Sequence, residues 1–298
     1  MLLNLSKICD ALPPFFRRHS LFKLLLQISP ESKIQIVHFN GSAQLYANIS
    51  DPFPRTYFLT HGYDLEFISI ASTFLSNGGT FFDVGANFGF CTFGILAANP
   101  CKGIKSYLFE ANPEMTACLK KSASLYPEEN IRITSGAVSN QSGTSRLWVE
   151  KSHLGSSYIS PKGQVEVNAF RLDDLIHRES IDKIDFMKLD IEGSEPDALE
   201  GCRQSLGKAI IKAIYFEVSQ ETLARFGKRV EEYLDIFRRH HFQLFHVKQN
   251  DFDKRVISRQ EIRRLNLNGH ALDIAPVKDF PKNFQTDLLA IHPSLGVL

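Results

Sequence analysis

The fold class predicted for this chain is α/β, a mainly parallel sheet with helices on both faces, and three observations predict it. From Thr80 onward, short apolar runs alternate with segments of helical periodicity, the pattern of strands joined by helical crossovers. Several of those runs end on an acid, at Asp83, Glu110 and Asp190. The last two runs, FQLFHVK (242–248) and DLLAIHP (287–293), have no helix between them, which predicts an antiparallel addition at the sheet edge. With 298 residues, 43% of them hydrophobic, the chain is long enough for one large α/β domain with additions.

The elements follow in order. Residues 15–28 have the spacing of an amphipathic helix, expected to cap the domain, with peripheral membrane contact as the alternative. Residues 34–49 alternate around Asn40-Gly41, which predicts two strands joined by a two-residue type I′ turn. In YDLEFISIASTFLSNGG, residues Leu65, Ile68, Ala71, Ser72 and Leu75 recur at helical spacing before a glycine stop. TFFDVG (80–85) reads as a strand, 87–99 as a helix and KSYLFE (105–110) as a strand. Asn112 caps a helix with Pro113 at its first position. IRITSGAV (131–138) is a strand, and IDFMKLD (184–190) is another, buried on both faces. Ser194 is expected to cap a helix with Ala198, Leu199, Cys202 and Leu206 as its apolar stripe. A strand at 209–218 precedes a helix running through Leu223, Phe226, Val230, Leu234 and Phe237, and a polar excursion fills about 249–285. Two regions are expected: an N-terminal helix and β-hairpin extension over 1–62, and the main domain over 63–298.

Composition narrows the function classes. A net charge of +1 provides no global field for nucleic acid or an anionic membrane. The five cysteines (Cys9, Cys91, Cys101, Cys118, Cys202) are scattered, without a C-x-x-C pair, so free thiols in a reducing cytoplasm are expected. No run of apolar residues reaches transmembrane length, and the N-terminus lacks the order of a signal peptide.

FFDVGANFG (81–89) carries the chemistry. In doubly wound sheets ligands bind beyond the carboxyl ends of the strands, at the point where strand order reverses. Gly85 lets the backbone turn without a Cβ, and Gly89 lets the following helix pack closely. The helix N-terminus offers amide groups to an anion, and Asp83 is placed to accept from a cation. Glu110, about 27 residues on, closes the next strand, where an acid can bind both hydroxyls of a ribose. The dinucleotide pattern G-x-G-x-x-G is missing. The ligand that suits this set is S-adenosylmethionine, with both charges on its amino-acid end and adenosine at the other.

FFDVGANFGFCT, FEANP, GAVSNQSG, FRLDDL and FMKLDIEGSEPDALEG together resemble the FkbM-type family of S-adenosylmethionine-dependent methyltransferases, over roughly residues 62–293. The resemblance implies a class I methyltransferase (Rossmann-like) seven-stranded sheet with its last strand antiparallel. It also implies O-methylation of hydroxyls on sugars, glycans or polyketide-like metabolites. Asp83, Gly85, Asn87, Gly89 and Glu110 match the family's cofactor-binding segments, and Ala137 and Val138 its adenine-side loop. Ile191 stands where the family usually has valine.

Methyl transfer needs an aligned acceptor oxygen and a group to take its proton. Asp190 is the favoured candidate, with Glu192 and Glu217 at the same layer. Glu195 is expected to complement the dipole of the helix it starts. His61 and His153 flank the site in sequence. Acids at neighbouring strand ends could hold a divalent cation, but without a clear Asp-Asp-Asn set no metal is assigned. DPFP (51–54) and Pro100-Cys101 resemble base-methylation motifs but stand at the wrong places in the fold. A small-molecule or glycan hydroxyl is therefore the expected acceptor, with no nucleic-acid partner. Ser-, His-, Asn- and Lys-rich cap segments, including 149–164, and the aromatics Tyr63, Trp148 and Tyr158 suit a polyol. The alternatives are a non-catalytic binding module of the same fold and a nicotinamide-dependent oxidoreductase.

Overall fold

The computed structural model describes residues 33–247, 274–276 and 285–295. The expected helix at 15–28 and most of the 249–285 excursion lie outside them.

The hairpin is present as β1 (Ile34–Phe39) and β2 (Ala43–Asn48). Phe39 pairs with Ala43, so the connection has three residues, not the two of the predicted turn. Asn40 and Gly41 both take positive φ, as predicted for their sequence. The longer loop lets the Asn40 amide clamp Tyr63 through its main-chain O and N, at 2.7 and 2.9 Å.

Next comes a helix the sequence reading does not assign, α1 (Pro52–Thr60). Its two prolines stand in the first turn, where no intrahelical N–H is lost. Buried Asp51 caps it by accepting from the Phe53 amide, and its other oxygen accepts from the Leu154 amide at 2.6 Å. Asp51→Ala removes a cap and orphans a buried amide, so we expect a loss of about 2 kcal/mol, measured by urea denaturation. The predicted helix follows as α2 (Leu65–Leu75), with all five of its stripe residues buried.

The main sheet then builds up. β3 (Gly79–Val84) leads to α3 (Phe90–Ala98), β4 (Ile104–Glu110), α4 (Pro113–Ala123) and β5 (Asn130–Ser135). The expected strand over 131–138 is broken at Gly136, where φ is 149°. Its last part, β6 (Ala137–Val138), joins a separate small sheet with β7 (Gly143–Trp148), β8 (Tyr158–Ile159) and β9 (Val165–Phe170), in the order β6-β9-β7-β8. The chain returns through α5 (Leu172–Arg178), β10 (Phe186–Leu189), α6 (Glu195–Glu200), α7 (Arg203–Gly207) and β11 (Ala213–Ser219). The helix expected through 223–237 is two helices, α8 (Gln220–Arg225) and α9 (Val230–Arg239), separated at Gly227 with φ 65°. β12 (Gln243–Val247), β13 (Ile274–Pro276) and β14 (Gln285–Ile291) close the sheet.

Its order is β13-β12-β14-β11-β10-β3-β4-β5. Leaving out the three-residue edge strand β13, this is the expected seven-stranded sheet. β14 is antiparallel to both of its neighbours, and β5, β4, β3, β10 and β11 are mutually parallel. Apolar clusters cover both faces. One joins the hairpin to α2, α3 and α4, and the other is formed with α5 through α9. Strand order reverses between β3 and β10. The carboxyl ends of β3, β4, β10 and β11 therefore open on one crevice. Among the described residues, no helix is long and apolar enough to cross a membrane.

Candidate functional site

The crevice is shaped first by the turn after β3. Gly85 has φ 82°, and a Cβ there would lie 1.8 Å from the Asp190 carbonyl oxygen. Two backbone segments thus meet at a distance only glycine permits. Gly89, with φ 92°, lies against Phe93 and Leu119, where a Cβ would come within 2.8 Å of either. It starts α3 and does not line the cavity. Between them Asn87 holds a left-handed φ of 54°. Its amide donates to Glu110 Oε2 at 2.7 Å, and the Asn112 amide donates to Glu110 Oε1 at 2.7 Å. Burial raises the Glu110 pKa, and these two amides oppose the rise. The carboxylate is fixed at the end of β4 with lone pairs still available to hydroxyls.

Asp83 sits differently from its expected place. It is fully buried and does not line the cavity. Its Oδ2 accepts from Thr92 Oγ1 at 2.6 Å, and its Oδ1 has no hydrogen bond but lies 3.9 Å from Lys188 Nζ. The cation expected opposite Asp83 is supplied by the chain itself. Lys188 is paired with Asp83 in the β10–β3 register. Its ammonium also contacts Asp190 Oδ2 and the Gly85 carbonyl, each at 3.1 Å. Burial opposes that charge, yet Asp190 and Asp83 hold the lysine pKa above its ordinary value. The sequence reading passes over this residue. The available signal is a single cation inside FMKLD, a strand otherwise buried on both faces.

Beyond β10 the chain turns through Ile191-Glu192-Gly193. Glu192 has φ 57°, a conformation that costs a non-glycine residue about 1–2 kcal/mol. It lines the cavity beside Asp190. Burial, with Asp190, Glu217 and Glu195 nearby, raises its pKa to about 8. Ser194 makes no capping hydrogen bond. Glu195 performs a different task from dipole pairing alone: its Oε1 folds back to accept from the Ile191 and Gly193 amides at 2.8 and 3.2 Å. It is buried, which pushes its pKa to about 7 against the pull of those amides. Glu217, in β11, accepts from Gln285 on β14. Burial first, then Asp190, raises its pKa, and it stands behind the cavity wall.

One cavity runs along this crevice. At one end it is walled by Gly85, Asn87, Glu110, Ala137 and Val138, and at the other by Lys188, Asp190 and Glu192. An aromatic wall of Phe53, Tyr63 and Phe90 completes it, with ring centroids 5.0–6.1 Å apart. His153 and Tyr158 come from the loop between β7 and β9. Trp148 stacks on Tyr158 without reaching the cavity, and His61 lies outside it, near the His38 carbonyl.

Comparison with known proteins bears on this segment. A model of the methyltransferase FkbM domain matches residues 83–244, more than half of the chain. That span contains every residue singled out above as cofactor-facing or catalytic. The 2-O-methyltransferase NoeI of Sinorhizobium fredii is 26% identical over 160 residues, a match covering 47% of this chain and 63% of that protein. The match thus spans less than two thirds of NoeI. Among solved structures, methyltransferase FkbM from Methylobacillus flagellatus KT aligns at TM-score 0.42 and 17% identity, covering 80% of this chain and 53% of the other. The precorrin-6y C5,15-methyltransferase of Geobacter metallireducens GS-15 aligns at TM-score 0.37 and 10% identity, covering 76% and 87%. At these scores the assignment rests on the family model, whose match begins at the acid closing β3 and ends within β12. The chain belongs to the FkbM methyltransferase family.

Proposed function

We propose that this methyltransferase uses S-adenosylmethionine to methylate a hydroxyl of a saccharide, glycan or glycosylated metabolite. The observation that carries the reading is the cavity at the strand-order reversal. A fixed carboxylate, Glu110, stands at one end and two acids, Asp190 and Glu192, stand at the other.

The residues present fit the cofactor. Glu110, oriented by two amides, would receive the ribose hydroxyls. Ala137 and Val138 would flank the adenine. Gly85 and Asn87 would pass beneath the amino-acid end. When bound, the cofactor supplies an electrophilic methyl group on a sulfonium. The chain's part is alignment, exclusion of water and removal of one proton. Asp190 has one oxygen committed to Lys188, which suits it to orient the acceptor. Glu192, strained and facing the cavity, is the proton acceptor. The hydroxyl class is supported by the 2-O-methylation named for the NoeI relative and by the aromatic wall, which suits a sugar face.

Glu110→Ala should weaken cofactor binding by about 1–3 kcal/mol, the scale of hydrogen bonds to a charged group. Calorimetry with S-adenosylmethionine on the folded variant measures this, and unchanged affinity would remove Glu110 from the site. A screen with labelled S-adenosylmethionine over sugars, glycolipid extracts, tRNA, DNA and protein lysate tests the acceptor. Base-stable ether label on carbohydrate supports the reading, and label confined to nucleic acid or protein refutes it.

A further inference from the structure

The acids behind Glu192 form an arrangement that methyl transfer, as described, does not use. Asp190, Glu195 and Glu217 each offer one carboxylate oxygen, and these atoms lie within 4.8 Å of one another. They come from the end of β10, the start of α6 and the middle of β11. Sequence reasoning groups Asp190 and Glu217 with Glu192, whereas the fold brings in Glu195 as the third member.

Each of the three has one oxygen held by a donor of the chain. Lys188 holds Asp190 Oδ2, the Ile191 and Gly193 amides hold Glu195 Oε1, and Gln285 holds Glu217 Oε1. Donors placed in this way fix the orientation of a carboxylate and leave lone pairs for a further partner. Of the three, Lys188 forms an ion pair with Asp190, and its other acidic contact is Asp83, outside the cluster.

A second, independent feature points to what is held there. The Tyr233 hydroxyl is 1% exposed and has no hydrogen-bond partner. The charges acting on it are those of Glu195, Glu217 and Asp190, the same three residues. The Ser194 hydroxyl, next to Glu195 in the cavity wall, is also buried without a partner. Buried hydroxyls are as a rule satisfied by protein or by ordered water. Two left over beside a cluster of carboxylates fit the waters of a hydrated ion.

We propose that Asp190, Glu195 and Glu217 bind a hard divalent cation at the edge of the cavity. An all-oxygen donor set selects magnesium, manganese or calcium over softer metals. The remaining coordination positions would be water, with Tyr233 and Ser194 as hydrogen-bond partners. Asp190 also faces the cavity, so on the methyl-transfer reading the cation would polarise the acceptor hydroxyl. The site itself does not depend on that reading.

The test uses the full chain, freed of metal with a chelator, without cofactor or acceptor, so that failure of the methyl-transfer reading cannot affect the result. Mn²⁺ is titrated and the free ion followed by electron paramagnetic resonance. One bound Mn²⁺ per chain, displaced by Mg²⁺ or Ca²⁺, is expected. Glu195→Gln and Glu217→Gln should each weaken binding by about tenfold or more, the loss of a charged ligand. Glu200→Gln, an exposed acid on α6 outside the cluster, should change nothing. Far-UV circular dichroism checks each variant, and Asp190→Asn replaces any that fails to fold. Absence of stoichiometric Mn²⁺, or equal affinity in the cluster variants and the wild type, overturns the proposal.

Discussion

Replacing Glu192 by glutamine should lower the rate of methyl transfer by about 10²–10⁴-fold, the range for loss of a general base, with cofactor affinity little changed. The expectation follows from placement. Glu192 faces the cavity, next to Asp190, on the turn that leaves β10. Burial and the neighbouring acids bring its pKa to about 8, so a proton can be held there near neutral pH. Glutamine keeps the shape and cannot take the proton. The backbone supplies a separate check. Glu192 holds φ at 57°, where glycine fits without strain. Glu192→Gly should therefore be inactive yet no less stable than glutamine at the same position. Strain of this kind persists where function requires it. Turnover at the wild-type level in Glu192→Gln would leave alignment alone as the source of catalysis.

Much of the frame was legible in the sequence because burial on both faces leaves a plain record. β3, β4, β10 and β11 are short apolar runs, and α2 shows its stripe at every expected position. The parts that were not legible have physical reasons. β6 and β8 have two residues each, too few for alternation to register. α1 opens with prolines, which read as breakers although the first helical turn tolerates them. β13 is three residues within a polar stretch. In the site, Gly85, Asn87 and Glu110 were legible because a strand, a turn and an acid occur in fixed order along the chain. Asp83 could be singled out in the same way, but its partner could not. Its cation comes from Lys188, more than a hundred residues away, through a strand register that spacing cannot reveal. Glu195 was read by its position on a helix, while its side chain turns back onto the loop before it.

That hidden register leads to the largest stability effect expected in the molecule. Lys188→Met should destabilise the fold by about 3–5 kcal/mol, the cost of breaking a buried ion pair from one side. Asp83 is fully buried, and its Oδ1 has no hydrogen bond, so Lys188 at 3.9 Å is the cation compensating it. Burial already raises the Asp83 pKa, with Lys188 and then Thr92 opposing the rise. Without the ammonium, the carboxylate must take up a proton or admit water into a face packed with phenylalanine. The Gly85 carbonyl would lose its donor as well, and with it part of the turn that shapes the cavity. The same logic predicts recovery in the double variant. Asp83→Asn combined with Lys188→Met removes both charges, and the introduced amide retains an oxygen able to accept from Thr92, so most of the lost stability should return. Urea denaturation of the wild type, both single variants and the double variant measures the coupling. A Lys188→Met protein as stable as the wild type, or a double variant no better than Lys188→Met, would show that the pair does not hold the ends of β3 and β10 together.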